Sequence, residues 1–494
     1  MKVKTIHILS LLLVFSSVIL AQSKQTGLSK AVQQAANSAD LKSGLWSMYA
    51  RNNNTGQILV DINSEKGLAP ASNLKLLTSA VALELLGEDY TFNTYLEYDG
   101  SIGAGGIISG NLYVRGEGDP TLGSPEMPGV LPLDSLILDW VNKIQELGIH
   151  SISGNLIADD SYFDDYMPVA GDWFWTDMGN YYGAGTSGLC INENLYYLYF
   201  KPAAKVGGPA AVLRTEPVIS GLNFINHMKT GPIGSGDNGY IFHAPWQWMQ
   251  QLEGTIPAGD NEFSIKGSLP DPALFTVQCL KNKLTDAGIS LRGDVLTVRE
   301  SAALPPDQRH IFYIVHSPAL KDIIFRLNKK SVNIYAEQIL KTLGKKYNYS
   351  SALDSSIQVI KNWLKENDIS TAGLFLHDGS GLSWLNRITT LTFVQMLSVV
   401  SQKPYFRAFY NSLPVAGDSA DIGTLKNFCK GTRAAKNLRA KTGGLERVLT
   451  HTGYVHSKKG DLICFSMMAN DYSSKEKPVR NLHEKIMIQL AELP

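Results

Sequence analysis

Strand-forming runs stand at both ends of this 494-residue chain, and that placement constrains its fold more than any other feature. Gly44 to Ala50 and Gln57 to Ile62 are β-rich and joined by the turn Asn52, Asn53, Asn54, Thr55, Gly56, a hairpin pattern. Far downstream, Val448 to His456 and Leu462 to Ala469 flank Ser457, Lys458, Lys459, Gly460 and predict a second hairpin. The pattern predicts a discontinuous α+β domain whose sheet is completed from both halves of the chain. Its helices are announced by apolar residues at helical spacing: Leu74, Leu77, Val81, Leu85, then Leu320 to Leu327, Val332 to Leu343, Ile357 to Leu364, and finally Leu482, Ile486, Leu490, Leu493. We assign residues 22–95 and 305–494 to this domain and residues 96–304, rich in short strands, glycines and turn dipeptides, to one or more inserted β-rich modules. Ile108-Ser109-Gly110-Asn111-Leu112 and Ile152-Ser153-Gly154-Asn155-Leu156 resemble each other, but no fixed period continues, so they read as two similar turn entries and not a repeat array.

The compartment follows from the first residues. Met1 to Lys4 is short and basic, Ile6 to Leu20 is apolar, and the run ends at Ala21, so residues 1–21 read as a signal peptide. No cysteine follows it to carry a lipid, and no other stretch has the length of a membrane span. The mature chain is therefore expected to be exported, to a periplasm or cell envelope, with no integral span.

Charge and composition exclude other classes. Lysine plus arginine number 45 and aspartate plus glutamate 45, so no field exists to hold nucleic acid. With 44% hydrophobic and 18% charged residues the chain is neither disordered nor a coiled coil. Cys190, Cys279, Cys429 and Cys464 are far apart, without a CxxC or Cys/His cluster, and the ten histidines are scattered, so neither metal nor cofactor is expected. Export permits a disulfide, but buried apolar thiols are the simpler reading.

Three short motifs carry chemistry. Ser72 and Lys75 lie at the start of the first buried helix, where i and i+3 share a face, so the lysine amine reaches the serine hydroxyl. A desolvated lysine takes a proton from serine and makes it a nucleophile, and a helix N-terminus favours developing oxyanion charge. The alternative is an N-cap serine with a surface lysine. A second SxxK, Ser474 and Lys477, precedes Pro478 in polar surroundings and reads as a loop. Ser331 and Asn333, at a helix start, offer a hydroxyl and an amide; the SxN copies at Ser109 and Ser153 lie in the inserted region. Lys441-Thr442-Gly443 lies in a strand-like run where lysine and threonine hold a carboxylate and glycine lets the backbone come close. Its competitor, Lys229-Thr230-Gly231, is followed by Pro232, which has no N–H to offer an oxyanion, whereas Gly444 does.

In order and context these motifs resemble the penicillin-recognising serine enzymes. More narrowly the chain resembles the D-alanyl-D-alanine carboxypeptidase/endopeptidase family, the class C low-molecular-mass penicillin-binding proteins, which carry a long insertion between the first two motifs. Gly118 to Leu122, Asp160 to Asp164, Asp378 to Ser383 and Leu413 to Gly417 also match. The resemblance implies a β-lactamase-like penicillin-binding domain, an antiparallel sheet flanked by helices, and acyl transfer on peptidoglycan stem peptides. Ser72 would attack with Lys75 as base, the N–H groups of Ser72 and Gly444 would hold the oxyanion, Lys441, Thr442 and Gly443 would bind the substrate carboxylate, and Ser331 and Asn333 would relay a proton. β-Lactams would acylate Ser72. One departure is Gly444, where the family often has a hydroxyl residue. A secreted β-lactamase or esterase shares these motifs, and a non-catalytic wall-binding or antibiotic-sensing protein would retain the pocket. A Ser-His-Asp hydrolase is disfavoured, since the sequence contains no GxSxG elbow. Asp159, Asp160, Asp164 and Asp165 read as turn and solvated-surface residues before they read as an ammonium site. Trp173, Phe174, Trp175, Tyr181 and Tyr182 read as packing between insertion and core before a sugar platform.

Overall fold

Alternation along the strands explains how one sheet separates two cores. In the run Leu462–Asn470, Ile463, Phe465, Met467 and Ala469 join one apolar cluster, while Cys464 and Met468 join another on the opposite face. Both clusters are roofed by helices: Gly27–Ala36 and Glu476–Ala491 cover one face, and Leu74–Leu85 with Thr390–Val400 cover the other. The computed structural model describes residues 27–164, 173–259, 261–301 and 308–494. The expected signal peptide and Asp165 lie outside them.

The sheet is five-stranded and antiparallel, in the order Arg439–Leu445, Val448–His456, Leu462–Asn470, Leu45–Asn52, Ile58–Ile62. Both hairpins expected from the sequence are present, and Met48 pairs with Met467 where they meet. The strand carrying the Lys-Thr-Gly motif is the edge strand, with Lys441 opposite Thr452 and Thr442 opposite His451. The chain leaves this region at Phe92 and returns at Ser317, which exchange hydrogen bonds: Ser317 N–H donates to the Phe92 carbonyl at 3.0 Å, and Phe92 N–H to the Ser317 hydroxyl at 2.9 Å.

Between these points lies a second core built on parallel as well as antiparallel pairing. Val295–Thr297, Leu156–Asp159 and Leu112–Gly116 run parallel, followed antiparallel by Asn93–Tyr98 and His310–His316. Two of these strands, Asn93–Tyr98 and His310–His316, belong to this sheet although the sequence reading put the junctions at 95/96 and 304/305. Parallel strands need crossovers, and the helices Leu133–Glu146 and Pro272–Asp286 supply them, so the inserted region is not purely β.

The two similar pentapeptides prove to be stacked rungs of a real repeat, with a third copy at Arg292-Gly293-Asp294. Asn111 Oδ1 accepts Asn155 N–H at 2.8 Å, and Asn155 Oδ1 accepts Asp294 N–H at 2.8 Å. A Cβ on Gly154 would stand 2.5 Å from the Gly110 carbonyl oxygen, and one on Gly293 2.4 Å from that of Gly154, so the stacked turns admit only glycine. The third rung has Arg-Gly-Asp in place of Ser-Gly-Asn, which hides it from a search for identity.

Candidate active site

The turn before the first helix is held in a conformation that side chains resist. Ala71 has φ +46, and Ser72 follows it in the short 3-10 turn Ala71–Asn73 that leads into helix Leu74–Leu85. Close neighbours enforce it. The Thr450 hydroxyl donates to the Pro70 carbonyl at 2.8 Å and the Asn73 side-chain amide to the Thr452 hydroxyl at 2.8 Å. A Cβ on Gly381 would lie 1.9 Å from the Ala71 carbonyl oxygen; one on Gly443 would lie 2.7 Å from the Pro70 carbonyl and 2.9 Å from the Ser72 nitrogen. Backbone from three separate segments therefore meets around Ser72.

Lys75 is buried one turn along. Its Nζ donates to Ser72 Oγ at 2.9 Å, to Asn333 Oδ1 at 2.6 Å and to the Ser380 carbonyl at 2.7 Å. Burial pulls its pKa down to about 7, against the opposing pull of the Asp378 and Glu337 carboxylates. The helix Leu320–Lys330 ends at Ser331, whose φ of +60 and ψ of +40 turn the chain into helix Asn333–Tyr347. Ser331 is thus a helix end, not the helix start expected, while Asn333 is the first residue of the next helix. Asn333 Nδ2 donates to the Tyr182 carbonyl at 2.7 Å, which fixes its amide with Oδ1 toward Lys75. Lys441 Nζ donates to Ser331 Oγ at 2.8 Å and to the Thr442 carbonyl at 2.8 Å. Burial and the nearby Lys75 hold its pKa well below the ordinary lysine value. Thr442 shares a hydrogen bond with Thr424 at 3.2 Å, Gly443 is buried against the Ser72 turn, and Gly444 is exposed on the cleft.

The structure thus brings all eight expected residues to one place: Ser72, Lys75, Ser331, Asn333, Lys441, Thr442, Gly443 and Gly444. The rival copies do not join them: Lys229–Gly231 is a strand of the inserted region, and Ser474 is a half-buried residue before the last helix. The cleft, about 870 Å³, is walled on one side by Ser72, Ser331, Asn333 and Gly444 and on the other by inserted residues including Phe174, Asp177, Tyr181 and Tyr182.

Lys329, Asp421 and Glu337, which the sequence did not single out, support the site together with Asp378 and Trp173. Buried Lys329, two residues before Ser331, donates to the Leu413 carbonyl at 2.7 Å and pairs with Asp421, whose carboxylate also accepts Val415 and Gly423 N–H at 3.0 Å. Asp378 and Glu337 lie beneath Lys75. Trp173, from the insertion, donates to Asp378 at 3.0 Å. Nothing in a single sequence distinguishes such buried partners from surface charges.

Two expectations about the insertion are corrected. Asp159 and Asp160 are buried and paired with Arg309 and Arg299, so neither is a solvated residue, whereas Asp164 is exposed at a bend and pairs with Lys345 at the surface, as expected; none of the three lines the cleft. Low dielectric favours such pairing over solvation only because each carboxylate has a specific cation. The aromatic cluster is also more open than interior packing requires: Phe174, Trp175 and Tyr181 are exposed, and Phe174 stands 6.1 Å from Trp384 across the cleft. All four cysteines are free, and the described residues include no cluster of ligands able to hold a metal and no helix long and apolar enough to cross a membrane.

Comparison with known proteins gives concordant findings. The D-Ala-D-Ala carboxypeptidase 3 (S13) family matches residues 28–492. The D-alanyl-D-alanine carboxypeptidase of Actinomadura sp. (strain R39) is 31% identical over 449 residues, which cover 89% of this chain and 79% of that relative. Penicillin binding protein 4 from Haemophilus influenzae has a similar structure, with a TM-score of 0.77 at 22% identity over 94% of this chain and 99% of that one. In complex with a β-lactam, the same protein gives 0.74 at 20% identity, over 94% and 98%. The likeness establishes the α+β penicillin-binding fold with its long insertion.

Proposed function

The chain belongs to the D-Ala-D-Ala carboxypeptidase 3 (S13) family, and from that premise we propose that Ser72 is the nucleophile of a serine D-Ala-D-Ala carboxypeptidase and DD-endopeptidase acting on peptidoglycan stem peptides. The observation that carries this is the 2.9 Å contact between Lys75 Nζ and Ser72 Oγ, with the amine buried and its pKa near 7, where a lysine is a competent base.

Lys75 takes the Ser72 proton as Oγ attacks the carbonyl before the terminal D-alanine or the cross-linked residue. The N–H groups of Ser72 and Gly444 receive the oxyanion. Lys441 and Thr442 bind the leaving residue's carboxylate, and Gly443, by its lack of a side chain, lets that strand close on the Ser72 turn. An anion arriving there favours protonated Lys441, which burial alone disfavours. Ser331, hydrogen-bonded to Lys441, relays to the departing amine the proton that Lys75 took from Ser72, which leaves Lys75 neutral again; Asn333 steadies the substrate amide. The C–N bond is then broken and the acyl group rests on Ser72 Oγ until water, deprotonated by Lys75, releases it. A β-lactam follows the same path but its leaving nitrogen stays tethered, so the acyl-enzyme persists.

Among the described residues the inserted wall supplies one acid without an ion pair. Glu126 and Glu193 are near Arg326 across the cleft, at 3.0 and 3.6 Å, but Asp177 has no ion pair among the described residues. Asp177 is therefore our candidate for the group that reads a stem-peptide side-chain ammonium, in place of the aspartates first considered. The basic start and apolar run of residues 1–21 support export to the periplasm or cell envelope, where this substrate lies.

Intact-mass spectrometry with benzylpenicillin tests the proposal. The protein should carry a persistent adduct mapped to Ser72, and Ser72→Ala should lose both adduct and peptidase activity while keeping its thermal unfolding midpoint. Labelling of a folded Ser72→Ala protein would reject the nucleophile, and rapid drug hydrolysis without an adduct would favour a β-lactamase.

A further inference from the structure

Beneath Lys75, two consecutive peptide groups of the loop at residues 378–383 are each gripped from both ends. The Gly379–Ser380 peptide donates its N–H to Glu337 Oε1 at 2.7 Å, and its carbonyl accepts the Thr78 hydroxyl at 2.7 Å. The Ser380–Gly381 peptide donates its N–H to Asp378 Oδ1 at 2.8 Å, and its carbonyl accepts Lys75 Nζ at 2.7 Å. Glu337 also accepts the Gly379 N–H at 3.0 and 3.1 Å. Each carboxylate thus polarises a peptide whose oxygen faces the helix that carries Lys75, and hydrogen bonds in such a chain strengthen one another.

Neither acid is on the cleft wall. Both are buried, and the loop cannot swing away: a Cβ on Gly379 would lie 2.9 Å from the Ala336 carbonyl and one on Gly381 1.9 Å from that of Ala71. Asp378 is further fixed by the N–H of Ser383, the Asn386 amide and Trp173 from the insertion. Glu337 lies one turn beyond Asn333 on the same helix, so one rigid element carries both the amide that touches Lys75 and a carboxylate that grips the loop bearing its third partner.

We propose that Glu337 is a positioning residue for Lys75: its carboxylate grips the Gly379 and Ser380 N–H groups of the loop whose Ser380 carbonyl meets the lysine amine and, by its charge, sets the pH at which that amine becomes a base. This rests on the reading of Lys75 as the base for Ser72. The charged groups facing Lys75 are Asp378 from the loop, Glu337 from the helix Asn333–Tyr347 and Lys441 from the edge strand; the first two raise its proton affinity and the last opposes it. Glu337 itself is pushed up to about 7 by burial and by Asp378, so it titrates in the range in which it would act.

The test is the pH profile of Ser72 acylation by benzylpenicillin in full-length protein. Glu337→Gln keeps an oxygen acceptor for Ser380 N–H and removes the charge. The acid limb should move to lower pH by about one unit, the size expected when one unit charge is deleted near a buried group. A folded Glu337→Gln protein whose acid limb stays at the wild-type pH, whatever its maximal rate, would overturn the inference. Glu337→Asp keeps the charge but draws it back, so it should slow acylation and leave the limb in place; an Asp variant with wild-type rate and limb would also overturn it. If the wild type acylates Ser72 with no acid limb between pH 5 and 9, a window spanning the shifted lysine range, the assignment of Lys75 as base fails and this inference with it.

Discussion

At the scale of single residues, adjacent glycines of the Lys-Thr-Gly strand make opposite demands. A Cβ on Gly443 would meet Thr450 Oγ1 at 2.3 Å, the Pro70 carbonyl at 2.7 Å and the Ser72 nitrogen at 2.9 Å, so Gly443→Ala must push the nucleophile turn away from Lys75. Its expected effect is a loss of acylation rate of at least 100-fold, with a stability cost of about 1–3 kcal/mol, the range for overpacking. A Cβ on Gly444 meets nothing closer than the Val448 carbonyl at 3.9 Å. Gly444→Ser should therefore fold normally and, by offering a hydroxyl to the substrate carboxylate, lower KM by about 3- to 10-fold with kcat little changed, the value of one hydrogen bond. Steady-state kinetics on a D-Ala-D-Ala peptide separates these outcomes. Lys75 supplies a pH prediction at the same scale. Its pKa is depressed to about 7 and the base must be neutral, so acylation should rise with pH through about 7 and fall nearly tenfold for each unit below it, as read from a stopped-flow profile.

At the scale of elements, the strand that pairs with the Lys-Thr-Gly motif rests on a buried histidine pair. Trp46 Nε1 only donates, so His483 Nε2, 3.0 Å away, must accept, which puts the His483 proton on Nδ1. That proton points to His451 Nδ1 at 3.0 Å, which leaves the His451 proton on Nε2, a buried atom without a hydrogen-bond partner. A further proton would set N–H against N–H, and the Arg480 and Lys441 charges add to the cost. Burial holds both histidines below their ordinary values, His483 at about 3. The unfolded chain therefore binds more protons than the folded one below about pH 6.5, so stability is full above that value and falls on acidification. The slope should be about 1.4 kcal/mol per pH unit for a single histidine, measured by urea unfolding between pH 7 and pH 4, and His483→Leu should flatten it. His451 sits opposite Thr442, so the carboxylate site should fail in the same range. Neither histidine stood out in the sequence, because a lone histidine on a strand looks the same whether it is paired or solvated. The catalytic-type residues were legible for the opposite reason: i, i+3 spacing and an adjacent Lys-Thr-Gly are local, and the structure brings them together at 2.6–2.9 Å. The pairing of parallel strands in the insertion was not legible, since it joins short segments far apart in sequence and its third turn shares only the glycine with the other two.

At the scale of the whole molecule, the insertion is fastened to the helix that starts at Asn333. Tyr182 gives its carbonyl to Asn333, Glu193 accepts the Tyr335 hydroxyl at 2.8 Å, and Gln338 clips Ser187 by donating to its carbonyl at 2.9 Å and accepting its N–H at 3.2 Å. Three consecutive left-handed residues, Asn192, Glu193 and Asn194, carry that glutamate into place, a conformation that persists only where the surroundings enforce it. Two cores, each with its own set of large side chains, are therefore joined through a polar seam that also orients the active-site amide. Gln338 is the place to test that coupling, because it is fully buried and touches neither Lys75 nor the cleft. Gln338→Leu has similar volume but strands the N–H and the carbonyl of Ser187 in the seam. It should lower stability by about 2–4 kcal/mol, the cost of two unsatisfied buried groups, and split calorimetric unfolding into two transitions where the parent shows one. Acylation by benzylpenicillin should slow as well, because the Tyr182 segment that steadies Asn333 is released with the insertion. A Gln338→Leu protein that unfolds in one transition at the parent's midpoint would mean that the apolar contacts across the seam, and not its hydrogen bonds, hold the two cores together.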